Sequence, residues 1–86
     1  MDGVKEITMP TVLRQDGFEV MIYTHDHLPR HVHVFRGGAE VLISIETIAV
    51  REVRGMKTKD VRAAQEIVAA NQELLMSEWN RIKPVA

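Results

Sequence analysis

The 86-residue sequence contains no cysteine. That removes disulfides, thiolate metal sites and a cysteine nucleophile together, and it fits a reducing compartment. Aromatic side chains are only 5% of the chain, two Phe, one Tyr and one Trp, which leaves little for stacking the bases of a single strand. No apolar run approaches the roughly 20 residues that span a bilayer. The opening Met1-Asp2-Gly3-Val4-Lys5-Glu6 lacks the apolar core of an export signal. A cytoplasmic protein without membrane association is therefore expected. Neither charge dominates. Eleven Lys and Arg against twelve Asp and Glu leave a formal charge of −1, unlike the basic balance of a dedicated duplex-DNA binder. Repeats, linkers and low-complexity segments are also missing.

What remains is the composition of a folded domain, 45% hydrophobic and 27% charged, with room for one core. Met9-Pro10-Thr11-Val12-Leu13-Arg14 opens a more structured run than the residues before it. Residues 1–8 are read as a poorly ordered extension and residues 9–86 as a single α+β domain.

From Thr11 to Val53 short strands alternate with turn signals. Thr11 to Arg14 is a first strand, Asp16-Gly17 a hairpin turn, and Phe18 to Tyr23 a second strand. His25 to Arg30 forms a loop bent by Pro29. His31 to Arg36 and Ala39 to Glu46 are strands joined at Gly37-Gly38, and Ile48 to Val53 adds a fifth. A two-residue Gly-Gly turn sets Arg36 against Ala39, Val34 against Val41 and Val32 against Ile43. Those four branched side chains then share one face. The other face pairs His31 with Ser44, His33 with Leu42 and Phe35 with Glu40.

The last third reads as one long helix. Thr58 suits its N-cap and Asp60 its first turn. Val61, Ala64, Val68, Leu75, Trp79 and Ile82 recur at helical spacing as a core stripe, Asn71 interrupts it, and Pro84 follows its end. The sequence thus predicts a small, mainly antiparallel sheet of four to five strands with one long C-terminal helix on its valine-rich face. The opposite face, with Met21, Tyr23, His31, His33, Phe35 and Leu42, is too apolar to meet water alone and is expected to bind a partner.

Several of these segments together, Met9 to Arg14, Gly17-Phe18, Tyr23, Asp26-His27-Leu28-Pro29-Arg30-His31-Val32-His33-Val34, Asn71-Gln72-Glu73-Leu74-Leu75 and Trp79, resemble the small bacterial domain-of-unknown-function family 4160. The resemblance covers nearly everything from Met9 onward, and its proline–histidine–apolar–histidine core is its most specific part. Arg30 stands where that family usually has a second proline. The resemblance implies a protein encoded beside another small protein, in pairs proposed as toxin–antitoxin modules. It transfers candidate positions at His31 and His33 but no reaction.

All four histidines of the chain fall between His25 and His33, and imidazole titrates near neutrality and binds metals. Three readings compete. His31 and His33 project from one strand face about 7 Å apart. With His27, or Asp26, from the preceding loop they would hold a divalent metal such as zinc or nickel. Alternatively His31 and His33 do acid–base work on RNA with help from Tyr23, while Arg30 or Arg36 steadies the phosphate. The basic stretch Arg51, Arg54, Lys57, Lys59 and Arg62 would guide the strand, although a solvated connection into the helix is its ordinary role. In the third reading the cluster is structural, with Asp26 capping the turn by bonding N–H groups two residues on. Glu40 and Glu46 read as ordinary surface acids.

The expected function is that of one member of a small bacterial protein pair of toxin–antitoxin type, acting through protein–protein contact as a homo-oligomer or with a cognate small protein encoded nearby. A metal-independent ribonuclease toxin, or a divalent-metal-binding or DNA-binding regulator, are the alternatives. No helix-turn-helix signal supports the last of these.

Overall fold

The computed structural model of the chain describes residues 11–82. The extension read at residues 1–8, and Pro84, lie outside the described residues. Five strands follow in chain order: β1 (Thr11–Gln15), β2 (Phe18–Met21), β3 (His31–Arg36), β4 (Ala39–Ser44) and β5 (Val50–Arg54). They form one sheet in that order, antiparallel throughout. Two helices complete the fold, α1 (Thr58–Ala70) and α2 (Gln72–Ile82). The architecture is α+β, as the strand and helix patterns predict.

The turns follow from local chemistry. Asp16 and Gly17 both hold positive φ, 53° and 82°. This is the combination that matches a two-residue hairpin turn to the twist of its strands. Gly37, at φ 58°, closes the second hairpin. There the observed register is Arg36–Ala39, Phe35–Glu40, Val34–Val41, His33–Leu42, Val32–Ile43 and His31–Ser44, the pairing that the Gly-Gly turn dictates. β2, β3 and β4 therefore turn a branched face inward. Val20, Val32, Val34, Val41 and Ile43 are fully buried together with Val68, Leu75 and Trp79 from the helices.

Element bounds differ from the sequence reading: β1 runs on to Gln15, β4 ends at Ser44 rather than Glu46, and β5 spans Val50–Arg54 rather than Ile48 to Val53. The strand expected through Tyr23 stops at Met21. Beyond it the Asp26 N–H donates to the Tyr23 carbonyl at 3.1 Å, which bends the chain into the loop. The single long helix is two. Asn71 sits at φ −119°, ψ 24°, and its side-chain amide donates to the Ile67 carbonyl at 2.8 Å and to Gln15 Oε1 at 3.3 Å. Such a backward bond from a short polar side chain competes with the helical ladder. Gln72, next in the chain, donates to the Ile45 carbonyl at 2.7 Å, so the bend is pinned to the sheet. Thr58 is the first helical residue and not the cap. The cap position belongs to Lys57, in extended conformation and without a side-chain cap bond.

The helices rest on the branched face, with α1 over β4. β5 lies beyond that cover, and all five of its residues are exposed. Among the described residues no helix is long and apolar enough to cross a membrane.

Candidate metal centre

Strand β3 alternates valine and histidine, and the alternation delivers both imidazoles to the face away from the helices. That face is nevertheless closed. His31 and His33 are each only 7% exposed, and Met21, Tyr23, Phe35 and Leu42 are half-buried. No partner is needed to account for this. The Tyr23 ring stacks on His33 at 4.0 Å between centroids and 17° between planes. The His31 ring lies 5.2 Å from His33 on one side and 5.7 Å from Trp79 on the other.

Each ring nitrogen has a polar neighbour. His31 Nδ1 lies 3.0 Å from the Pro29 carbonyl. A carbonyl only accepts, so Nδ1 carries the hydrogen, and in the neutral ring Nε2 is the acceptor. Arg51 Nη1 lies 3.3 Å from the same Nδ1 and 3.4 Å from the Pro29 carbonyl. A protonated Nδ1 does not accept, so the guanidinium donates to the carbonyl. His33 faces a carboxylate on each side, and its Nδ1 makes the shorter contact, 2.7 Å to Glu40 Oε2. Its Nε2 then points at the Asp26 carboxylate, 3.1 Å from Oδ2 and 3.2 Å from Oδ1.

Asp26 is drawn in by its own turn. Its Oδ2 accepts the Tyr23 N–H at 3.1 Å. The carboxylate therefore bonds backward along the chain, not to the residues two positions ahead. Its Oδ1 sits 3.5 Å from His31 Nε2. One carboxylate thus faces two imidazole Nε2 atoms, each of which offers a lone pair when its ring is neutral and donates from Nδ1. Lone pairs facing a carboxylate repel unless a positive centre lies between them. A proton on Nε2 supplies one; a divalent cation supplies it for all three groups.

The spacing suits a cation. Donor atoms from Asp26, His31 and His33 all lie within 4.8 Å of one another. Ligands about 2.0–2.1 Å from a tetrahedral zinc stand roughly 3.3 Å apart, and Asp26 Oδ1 lies 3.2 Å from His33 Nε2 and 3.5 Å from His31 Nε2, which bracket that value. The outer shell is also in place. A metal-bound histidine ordinarily donates its second N–H to a carboxylate or carbonyl, and Glu40 stands in that place for His33 and the Pro29 carbonyl for His31. Two arginines of β5 stand behind those acceptors, Arg51 at Pro29 and Arg54 at Glu40 Oε1, the latter at 3.2 Å. Burial first, then the nearby Glu40 and Asp26 charges, raise the Tyr23 phenol above its ordinary range, so it is a neutral hydroxyl at neutral pH.

The positions singled out in the sequence fall into two groups. His31, His33 and Tyr23 come together. His27 and His25 are exposed loop residues outside the donor cluster, and Asp26 takes the third place. Arg51, Arg54, Lys57, Lys59 and Arg62 are all exposed, but they divide between β5 and the start of α1, and Arg51 and Arg54 turn toward the histidines. Arg30 pairs with Glu46 at 2.8 Å, and Arg36 lies over the Phe18 ring. The residue missed is Glu40, 8% exposed. The Gly-Gly register signals it, since Glu40 lies two residues from the partner of His33 and on the same face.

No curated protein and no solved structure matches the chain. The family model for Domain of unknown function (DUF4160) matches residues 17–80. That span is most of the chain and holds Tyr23, Asp26, His31, His33 and Glu40, and the protein belongs to the DUF4160 family.

Proposed function

We propose that the domain binds one divalent metal ion through Asp26 Oδ1, His31 Nε2 and His33 Nε2, and that the ion organises a surface for a protein partner. The observation that carries the reading is the convergence of two imidazole Nε2 atoms on one carboxylate, each imidazole with its second nitrogen already bonded outward. Two imidazoles and a carboxylate are the donor set of many zinc sites, and a fourth position is left for water or a partner group. The ligands bracket the loop between Asp26 and His31, so the ion would fix the conformation in which that loop presents Leu28, 59% exposed. A rigid apolar tip of this kind suits one member of a small bacterial protein pair of toxin–antitoxin type, acting by contact.

The ribonuclease reading has less support. Acid–base catalysis on a phosphodiester requires substrate between the two imidazoles, and both rings are buried beneath Tyr23 and beside Trp79. The principal surface grooves lie elsewhere, at the β1–β2 turn and the α1–α2 bend.

The test is zinc titration of metal-stripped protein, followed by elemental analysis. The expected result is one equivalent per chain for wild type and none for His33→Ala or Asp26→Ala, with the fold of both variants retained by circular dichroism. Trp79 is the only tryptophan and its ring lies beside His31, so its fluorescence should change as zinc binds. Wild-type protein that retains no zinc, cobalt or nickel after dialysis would refute the proposal.

A further inference from the structure

β5 is the uncovered edge of the sheet. Val50 and Val53 are 38% and 46% exposed, and among the described residues no strand lies beside the outer row of its backbone N–H and C=O groups. Such an edge is a template for pairing with another strand. We infer that the occupant is a second copy of this chain, added antiparallel about a two-fold axis at Val53.

The argument is one of register. A two-fold axis relating antiparallel edge strands stands perpendicular to the sheet, so residues that face one another must lie on the same face. Pairing is then limited to registers centred on a residue. Centring on Arg51 or Arg54 sets an arginine against its own copy. Centring on Glu52 sets two carboxylates together. Centring on Val50 leaves every β5 residue except Val50 itself without a strand partner, whereas centring on Val53 pairs Glu52, Val53 and Arg54. Centring on Val53 puts the two exposed valines side by side and places Glu52 of each copy against Arg54 of the other. Opposite charges directly across a ladder stabilise it and like charges oppose it. Within one copy Arg54 already bonds Glu52 and reaches Glu40, so its guanidinium is held on the face where the second copy's Glu52 would arrive. The edge is thus self-complementary in one register, and the product is a continuous sheet across two molecules with both sets of helices on the same side. This pairing does not depend on metal at the histidine site.

Light scattering coupled to size exclusion, across a wide range of concentration, tests it on the full chain. Wild type should approach twice the 9.8 kDa chain mass as concentration rises. Glu52→Arg and Arg54→Glu should each run at the mass of one chain, and their mixture should recover the dimer, because the arginines of one then face the glutamates of the other. If Arg54→Glu fails to fold, Val53→Lys, which sets two ammonium groups on the axis without touching Glu40, should give the single-chain mass. Wild type that stays at one chain mass throughout, including protein that pairs only with a foreign acidic strand, would overturn the inference. So would folded charge-reversal or Val53→Lys variants that dimerise as well as wild type, or a mixture that recovers nothing.

Discussion

Glu40 is a carboxylate with almost no exposed surface, and a buried charge is costly unless it is paired and hydrogen-bonded. Here His33 Nδ1 and the Arg54 guanidinium meet its two oxygens. Its contact with Nδ1 also holds the His33 ring with Nε2 facing Asp26, so in the proposed site Glu40 would position a ligand without being one. Loss of such an outer partner typically weakens metal affinity by about 10–100-fold. Glu40→Gln, which keeps an acceptor for His33, should therefore bind zinc nearer the weak end of that loss than Glu40→Ala, with stoichiometry unchanged in both. A competition titration against a chelator of known affinity reads the difference. The histidines themselves were legible from their spacing alone. Asp26 and Glu40 were not singled out with the same force, because carboxylates are common on loops and hairpins and only the assembled register shows which of them turn inward.

At the scale of elements, the hairpins were readable because the side-chain period of a strand is two. One correctly placed turn then assigns every residue of both strands to a face. The β3–β4 register follows from Gly37-Gly38 for this reason, down to His31 against Ser44. The helical third was harder, because the core stripe continues in phase across Asn71 and the Leu75 N–H still donates to the Asn71 carbonyl at 2.9 Å. Periodicity therefore runs through a break that a side-chain bond to Ile67 and Gln15 creates. The β1–β2 turn offers a quantitative check. Gly17 holds φ 82°, where a side chain costs about 1–2 kcal/mol, and a Cβ there would meet the flexible end of Arg36 at 3.1 Å. Gly17→Ala should lower unfolding stability by roughly that amount in denaturant titration, with its zinc stoichiometry intact.

For the molecule as a whole, composition and alternation were enough to specify an α+β domain with the helices on the valine face. What they did not convey is that the opposite face is closed from within. A count of apolar residues makes that face look like an interface. Tyr23 stacks on His33, Asp26 faces both imidazoles and Trp79 lies beside His31, so the two rings have neighbours within the chain. A ligand that binds only the folded state stabilises it by mass action, about 2.7 kcal/mol at a hundredfold excess over Kd. In a domain of this size each kcal/mol moves the unfolding midpoint by about 4–8 °C. Zinc at that excess should raise Tm by roughly 10–20 °C in a thermal scan of wild type and leave His33→Ala unmoved.

The strands succeed one another in the sheet as they do in the chain. Asp26, His31, His33 and Glu40 consequently all come from one uninterrupted stretch, spanning a single loop and hairpin. Closing so short a segment costs little chain entropy. The cluster can therefore assemble as soon as that hairpin zips, ahead of helix docking, and the loop and hairpin form a portable cassette suitable for transplantation onto another antiparallel scaffold.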